Sequence, residues 1–129
     1  MTKIHDLKMY HLYIAFFSIL LGVLAQLIMK KGMNEIGIVE LSRIFEINLL
    51  LEIFTNRYIL LGVMFYVFGL LFWLVALSFM EVSKMYPLQS LGYVIVLFGS
   101  FIFLGEELSL SRTFGIFLIV LGTLFVLRT

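Results

Sequence analysis

Polar residues interrupt a hydrophobic stretch near the middle of the chain, at residues 84–93. This decapeptide contains a lysine, a glutamine, two tyrosines and the single proline of the sequence. Inside hydrocarbon an unpaired polar group costs on the order of several kcal/mol, so such side chains usually face protein, water or a ligand. The decapeptide is therefore the first candidate for a functional site.

Helical spacing would put much of this polarity on one face. The positions concerned are Tyr86, Gln89 or Ser90, and Tyr93. Gln89 and Ser90 follow Tyr86 by three and four positions, and Tyr93 follows it by seven. These spacings keep the side chains on one side of a helix. Pro87 lacks a backbone N–H, so it also frees one helical carbonyl. We expect this face to donate and accept hydrogen bonds to a polar substrate.

Three further side chains are candidates for the same chamber: Gln26, Trp73 and Lys84. Structural alternatives stay open, because a lone glutamine often bonds a neighbouring helix and a tryptophan usually packs as an aromatic. Lys84 either snorkels to the membrane interface or holds a phosphate or carboxylate at the mouth of the cavity.

The composition indicates that the elements carrying these residues lie in a membrane. Hydrophobic residues make up 63% and charged residues 13% of 129 residues, and the mean hydropathy is +1.15. Ordinary globular domains are about 45–50% apolar and about 25% charged. A soluble fold of this size could not bury so much apolar surface.

Four segments are long enough, or nearly so, to cross a bilayer. We expect an all-α integral membrane protein with helices at residues 10–29, 58–80, 85–104 and 111–127, in one domain over residues 1–129. About 20 helical residues match a hydrocarbon core of roughly 30 Å. The connector at residues 31–57 is either an interfacial helix or an ordinary solvated loop.

The cationic residues leave the orientation open. With four spans, both termini lie on the same side of the membrane. Four Lys and Arg residues then lie on that side and five on the other, so the positive-inside rule favours neither orientation.

Several other functions are disfavoured. A net charge of +1 without a long basic cluster makes nucleic acid an unlikely partner, and the absence of Cys excludes thiolate chemistry. His5 and His11 have no carboxylate cluster at ligand spacing, so we assign no metal and no cofactor. No catalytic constellation is present, and we expect no enzyme.

Glycines recur in pairs seven residues apart in the last three segments. The pairs are Gly62 with Gly69, Gly92 with Gly99, and Gly115 with Gly122. Seven residues are two helical turns, so each pair lies on one face where helices can approach closely. Since four short helices can hardly enclose a polar pathway, we expect at least a homodimer.

Four motifs resemble the drug/metabolite transporter superfamily, and more narrowly its four-helix EamA-type members. The motifs are Phe72-Trp73-Leu74, Tyr86-Pro87-Leu88-Gln89-Ser90-Leu91-Gly92-Tyr93, Leu104-Gly105-Glu106-Glu107-Leu108-Ser109 and Gly115-Ile116-Phe117-Leu118-Ile119-Val120-Leu121-Gly122. These members are similar to the small multidrug resistance exporters and to the subunits of the aminoarabinose-phosphoundecaprenol flippase.

The resemblance implies a dimeric four-helix bundle in the inner membrane, with substrate between the first three helices. On this resemblance Tyr86 matches the substrate-facing tyrosine, Trp73 the second-helix tryptophan, and Gly115 with Gly122 the fourth-helix dimer contact. The multidrug exporters carry a first-helix glutamate where this chain has Gly22. Glycine cannot exchange protons, so the departure disfavours proton-coupled export of cations.

We therefore expect a transporter that flips a polyprenyl-phosphate-linked sugar, with membrane lipid and the lipid-linked sugar as partners. One alternative is a proton-coupled exporter of metabolites or drugs that uses Glu81 or Glu106. Another is an accessory subunit of a membrane glycosyltransferase without transport activity.

Overall fold

The computed structural model describes the backbone of residues 2–129 and the side chains of residues 9–129. The side chain of His5 therefore lies outside the described part. All regular structure within the described part is helical. It comprises α1 (Thr2–Ile36), a short 3-10 turn (Leu41–Arg43), α2 (Ile47–Thr55), α3 (Arg57–Leu77), α4 (Val82–Leu88), α5 (Leu91–Leu104) and α6 (Leu110–Leu127).

Four stretches of this described chain are long and apolar enough to cross a membrane: Met9–Ile36, Arg57–Leu77, Val82–Leu104 and Leu110–Leu127. The predicted fold class, an all-α membrane protein with four spanning segments, is confirmed. Several bounds differ from those expected, and α1 begins at Thr2 rather than at residue 10. The first helix continues seven residues past the expected end at 29, and α3 ends at 77 rather than 80. The third span is two helices, α4 and α5, rather than one.

The helix α1 packs chiefly against α3, through the first glycine pair. A Cβ at Gly62 would lie 2.9 Å from the carbonyl oxygen of Ala25, and one at Gly69 would lie 3.2 Å from the Cβ of Leu21. The backbones therefore approach too closely for a side chain at Gly62. Beside this seam, the buried Ser18 hydroxyl donates to the Gly69 carbonyl at 3.0 Å.

The second glycine pair brings α5 against the opposite side of α1. A Cβ at Gly92 would lie 2.9 Å from Cγ2 of Ile19, and one at Gly99 would lie 2.6 Å from Cδ1 of Leu27. The seven-residue spacing thus serves the same purpose in α3 and α5, which is close approach to α1. The first helix is the centre of the bundle.

A break after Pro87 separates α4 from α5. Because proline has no N–H and its ring crowds the preceding turn, a regular helix is interrupted here. The chain continues through tighter bonds of 3-10 type, in which Ser90 N donates to Pro87 O at 2.9 Å and Tyr93 N donates to Ser90 O at 2.9 Å. The third span therefore consists of two helices joined at residues 89–90.

The start of α3 is fixed to the end of α1 by an asparagine cap. The Asn56 side chain accepts from the N–H groups of Tyr58 and Ile59 at 3.0 and 3.2 Å and donates to Glu35 at 3.0 Å. Such caps contribute about 1 kcal/mol of helix stability. A Cβ at Gly32 would lie 2.7 Å from the cap oxygen, so α1 needs glycine at this point.

Between α1 and α3, the connector contains the 3-10 turn and α2. It exposes apolar side chains extensively, with Ile38 97%, Leu41 87% and Phe45 91% exposed. Leu49 of α2 is buried, which fixes this helix to the bundle. The connector contains a helix at Ile47–Thr55, and its position at a membrane interface stays a prediction.

Candidate functional site

A half-open cavity of about 530 Å³ lies between α1, α3 and the α4–α5 segment. Every spanning segment except α6 contributes to its wall. The volume falls in the range of small-molecule pockets, about 300–1,000 Å³. The cavity is therefore large enough for a sugar-sized group.

One wall is a polar stripe on α1. Ser18, Gly22 and Gln26 follow one another at four-residue intervals and all line the cavity. The Ser18 hydroxyl is engaged with Gly69, whereas the Gln26 carboxamide is exposed. A Cβ added to Gly22 would meet nothing within 4 Å, so the wall is open at this point.

The second wall belongs to α3 and is mainly aromatic. Tyr66 and Trp73 lie seven residues apart, on either side of Gly69, and both line the cavity. Because Gly69 has no side chain, α3 lies close to α1 between the two rings. The wall therefore offers two aromatic faces with a polar atom on each ring.

The third wall is the face predicted from the decapeptide. Tyr86, Gln89 and Tyr93 all line the cavity, although the helix breaks between them. The Tyr86 ring meets the Trp73 ring edge to face, with centroids 6.2 Å apart and planes at 81°. Tyr86 is 66% exposed and Tyr93 50% exposed in the single chain, so both can reach a ligand.

Two residues predicted for the substrate site, Lys84 and Ser90, do not line the cavity. Lys84 does not line the cavity, because it precedes Tyr86 by only two helical positions and residues so spaced face different directions. Ser90 is buried, with its hydroxyl against that of Thr123 on α6. After the break at Pro87, position 90 points toward α6 and position 89 toward the cavity.

Thr123 was not among the predicted residues and holds this junction together. Its hydroxyl contacts Ser90, and it also lies 3.0 Å from the carbonyl oxygens of Pro87 and Ile119. Pro87 O thus accepts from a side chain of another helix in addition to the Ser90 N–H. A polar residue within an otherwise apolar span was the sequence signal that could have identified Thr123.

Among the side chains that the structure describes, those lining the cavity are uncharged. Glu81 lies at the N-cap of α4, and Glu106 lies in the turn that follows α5. Neither carboxylate lines the cavity. The site can supply amide and hydroxyl hydrogen bonds and aromatic faces, but no counter-charge.

The four glycines predicted for packing fall into two groups. Gly92 and Gly99 lie against α1, as described above. Gly115 and Gly122 on α6 have nothing within 4 Å of an added Cβ. Their face of α6 is therefore open within the single chain.

The sequence as a whole is similar to known membrane proteins. Residues 54–128, from the end of α2 through α6, match the EamA-like transporter family. A probable 4-amino-4-deoxy-L-arabinose-phosphoundecaprenol flippase subunit ArnF from Proteus mirabilis is 36% identical over 112 residues, which are 84% of each chain.

Two further ArnF proteins carry the same description. Those of Shewanella sediminis and Serratia proteamaculans are 34% and 32% identical, over 90% and 81% of this chain and 86% and 82% of theirs. No solved structure gives a significant match.

The resemblance inferred from the motifs is confirmed by these matches, which extend from α1 to α6. With four spanning segments and relatives matched along most of their length, the chain belongs to the EamA-like transporter family.

Proposed function

We propose that this protein is a transporter subunit that flips a polyprenyl-phosphate-linked sugar across the inner membrane by alternating access. It is a multi-pass membrane protein whose relatives are named as flippase subunits for such a lipid. The substrate leaves the protein chemically unchanged, so no catalytic residue is required.

The observation that carries the proposal is the uncharged polar cavity between membrane-spanning helices. Gln26 and Gln89 face it from two walls, and the rings of Tyr66, Trp73 and Tyr86 surround it. Such a site matches the head group of an amphipathic substrate, whose prenyl chain stays in lipid. Binding there would replace the water that a sugar must lose inside the bilayer.

No observation favours the proton-coupled exporter. That mechanism needs a titratable carboxylate that substrate and proton share, and both Glu81 and Glu106 lie outside the cavity wall. An accessory role without transport would be indicated if the assay below detects no flipping.

The open face of α6 suits a second copy of the chain. Four short spans leave the cavity half open, and α6 offers a face on which Gly115 and Gly122 have no neighbour. Glycines at this spacing permit close contact with another helix. We propose that a second copy packs on this face.

A reconstitution assay tests the function. Purified protein in liposomes should move a fluorescent polyprenyl-phosphate-linked sugar between leaflets, so that an impermeant quencher reaches a growing fraction. Tyr86→Ala should slow this movement, whereas Tyr13→Ala should not, because Tyr13 is an equally exposed tyrosine outside the cavity wall. Unchanged accessibility with intact protein would leave only the accessory role.

A further inference from the structure

We propose that Lys30 binds the phosphate of the lipid-linked substrate at the mouth of the cavity, next to the sugar. The inference rests on the proposed function and names the residue that holds the charged part of its substrate. Lys30 was not among the residues predicted for the site. Its cation stands at the end of the polar stripe of α1.

Lys30 continues the polar stripe of α1 by one more helical turn. Ser18, Gly22 and Gln26 line the cavity at four-residue intervals, and the next position in this series is Lys30. A step of four residues advances about 6 Å along a helix and rotates by only about 40°. The lysine therefore lies one turn beyond Gln26, on the same side of α1.

The neighbours of α1 confirm on which side the lysine lies. Met29 packs against α3 at Gly62, and Leu27 packs against α5 at Gly99. The helical positions of Met29 and Leu27 are about 160° apart, and Lys30 falls between them on the arc that contains the polar stripe. Lys30 therefore points into the gap between α3 and α5, where the cavity opens.

The depth of Lys30 is that of the lipid head groups. A Cβ at Gly32 would lie 2.7 Å from the cap oxygen of Asn56, so Gly32 is level with the start of α3. Lys30 precedes Gly32 by two residues, or about 3 Å of helix. Since the spanning helix α3 begins at Arg57, this end of the bundle lies in the polar layer beside the hydrocarbon core. The phosphate of a lipid-linked sugar lies in the same layer.

A lysine ammonium suits this phosphate. It is a compact charge with three donors, so it binds phosphate oxygens without requiring one fixed geometry. Lys30 is exposed and forms no ion pair with a carboxylate of residues 9–129, so its charge is available to an anion. The sugar, which is bonded directly to the phosphate, then enters the cavity beside Gln26, and the prenyl chain stays in lipid.

The adjacent Lys31 provides a matched comparison. It is also exposed, but its ammonium lies 5.0 Å from the ring centroid of Tyr58 on α3. One residue rotates a helix by about 100°, so Lys31 lies off the polar stripe. Two lysines at nearly the same depth therefore differ in whether they face the cavity.

The single tryptophan of the chain makes binding measurable. Because Trp73 lines the cavity, its fluorescence reports occupancy without a label. The full chain is placed in phosphatidylcholine nanodiscs and titrated with two probes. Both probes carry a short prenyl chain and the sugar named for the ArnF relatives, 4-amino-4-deoxy-L-arabinose, but only one has a phosphate between chain and sugar.

Substitutions of the two lysines test the assignment. Lys30→Gln should bind the phosphate probe about tenfold more weakly than the wild type, as expected for the loss of one charge-assisted hydrogen bond. Its affinity for the phosphate-free probe should be unchanged. Lys30→Arg keeps the charge and should keep the affinity for the phosphate probe. Lys31→Gln should bind both probes as the wild type does.

Three results would overturn the assignment. Unchanged affinity of Lys30→Gln for the phosphate probe would mean that the lysine does not contact the substrate. An equal loss for both probes, or an equal loss in Lys31→Gln, would mean that the effect is not specific to a phosphate at this position. Displacement of the phosphate probe by an equal concentration of dihexanoylphosphatidylglycerol would assign Lys30 to membrane phospholipid instead.

The flipping assay separates this inference from the proposed function. Lys30→Gln should flip the lipid-linked sugar more slowly than the wild type and than Lys31→Gln. Equal flipping by the wild type and Lys30→Gln would overturn the phosphate site and leave the flippase intact. Absence of flipping by the wild type, with intact protein, would overturn the function itself.

Discussion

The indole ring of Trp73 on α3 meets the phenol ring of Tyr86 on α4 edge to face, with centroids 6.2 Å apart. This ring contact joins α3 and α4 at the cavity, whereas the glycine pairs bring α3 and α5 against α1. The contact therefore links two walls of the cavity through the side chains that also face a ligand.

Substitutions of Tyr86 separate the ring from its hydroxyl. Tyr86→Phe keeps the contact with Trp73 and removes one hydrogen bond to substrate, so affinity should fall by about fivefold, the equivalent of ~1 kcal/mol. Tyr86→Ala also removes an aromatic pair worth about 0.5–1.5 kcal/mol and should shift the emission of Trp73. Fluorescence titration gives both readouts. Equal emission shifts in the two variants would contradict the ring contact.

Thr123 is predicted to stabilise the break between α4 and α5. Thr123→Val keeps the shape but leaves the buried Ser90 hydroxyl and Pro87 carbonyl without this partner, which should cost about 1–3 kcal/mol. Unfolding in detergent, followed by circular dichroism, measures the loss.

Coupling between the two hydroxyls provides the control. In the double variant Thr123→Val with Ser90→Ala, both partners of the hydroxyl contact are absent, so the combined loss should be smaller than the sum of the single losses. Strict additivity would contradict a direct interaction between the two hydroxyls.

The glycine pairs are predicted to differ in what they hold together. Gly62→Ala would drive a Cβ against the Ala25 carbonyl, so the protomer should lose about 1–3 kcal/mol of stability. A Cβ added at Gly122 meets nothing within 4 Å in the chain, so Gly122→Leu should leave protomer stability unchanged while association of two copies weakens. Thermal unfolding and crosslinking measure the two effects. Destabilisation of the protomer by Gly122→Leu would contradict an open face.

The connector is predicted to lie on the membrane surface. Phe45 is 91% exposed, and the connector joins two spanning helices at their ends, so its apolar side chains can enter the interface. Since the chain has no Cys, Phe45→Cys labelled with a polarity-sensitive dye reports one position. Its emission should shift to the blue in vesicles relative to the same dye at Glu40→Cys. Identical emission at both positions would contradict insertion.

Periodicity in the sequence was sufficient for several elements. The four spans follow from apolar length, and the joint placement of Tyr86 and Tyr93 follows from a spacing of seven residues. The glycine pairs of α3 and α5 likewise predicted close helix packing. These features depend on local repeats, which a single sequence contains.

Other features depend on contacts between distant residues. Periodicity could not choose between Gln89 and Ser90, because both lie about one turn from Tyr86. The choice follows from Thr123, which pairs with Ser90 across 33 positions. Lys84 was left between snorkelling and a role at the mouth of the cavity, and it is not among the residues that line the cavity. Pro87 was expected to free one carbonyl within a single helix at 85–104, and the division of that span into α4 and α5 was not predicted.

The most direct test of the account uses a single cysteine at position 89 in the flipping assay. Gln89→Cys should flip a polyprenyl-phosphate-linked sugar at a reduced rate, because one carboxamide is lost, and attachment of a bulky maleimide should then stop transport, because the group fills the cavity. The same modification at Ser111→Cys, an exposed position outside the cavity wall, should leave transport running. Undiminished flipping by fully labelled Cys at position 89 would contradict passage of the head group through this cavity.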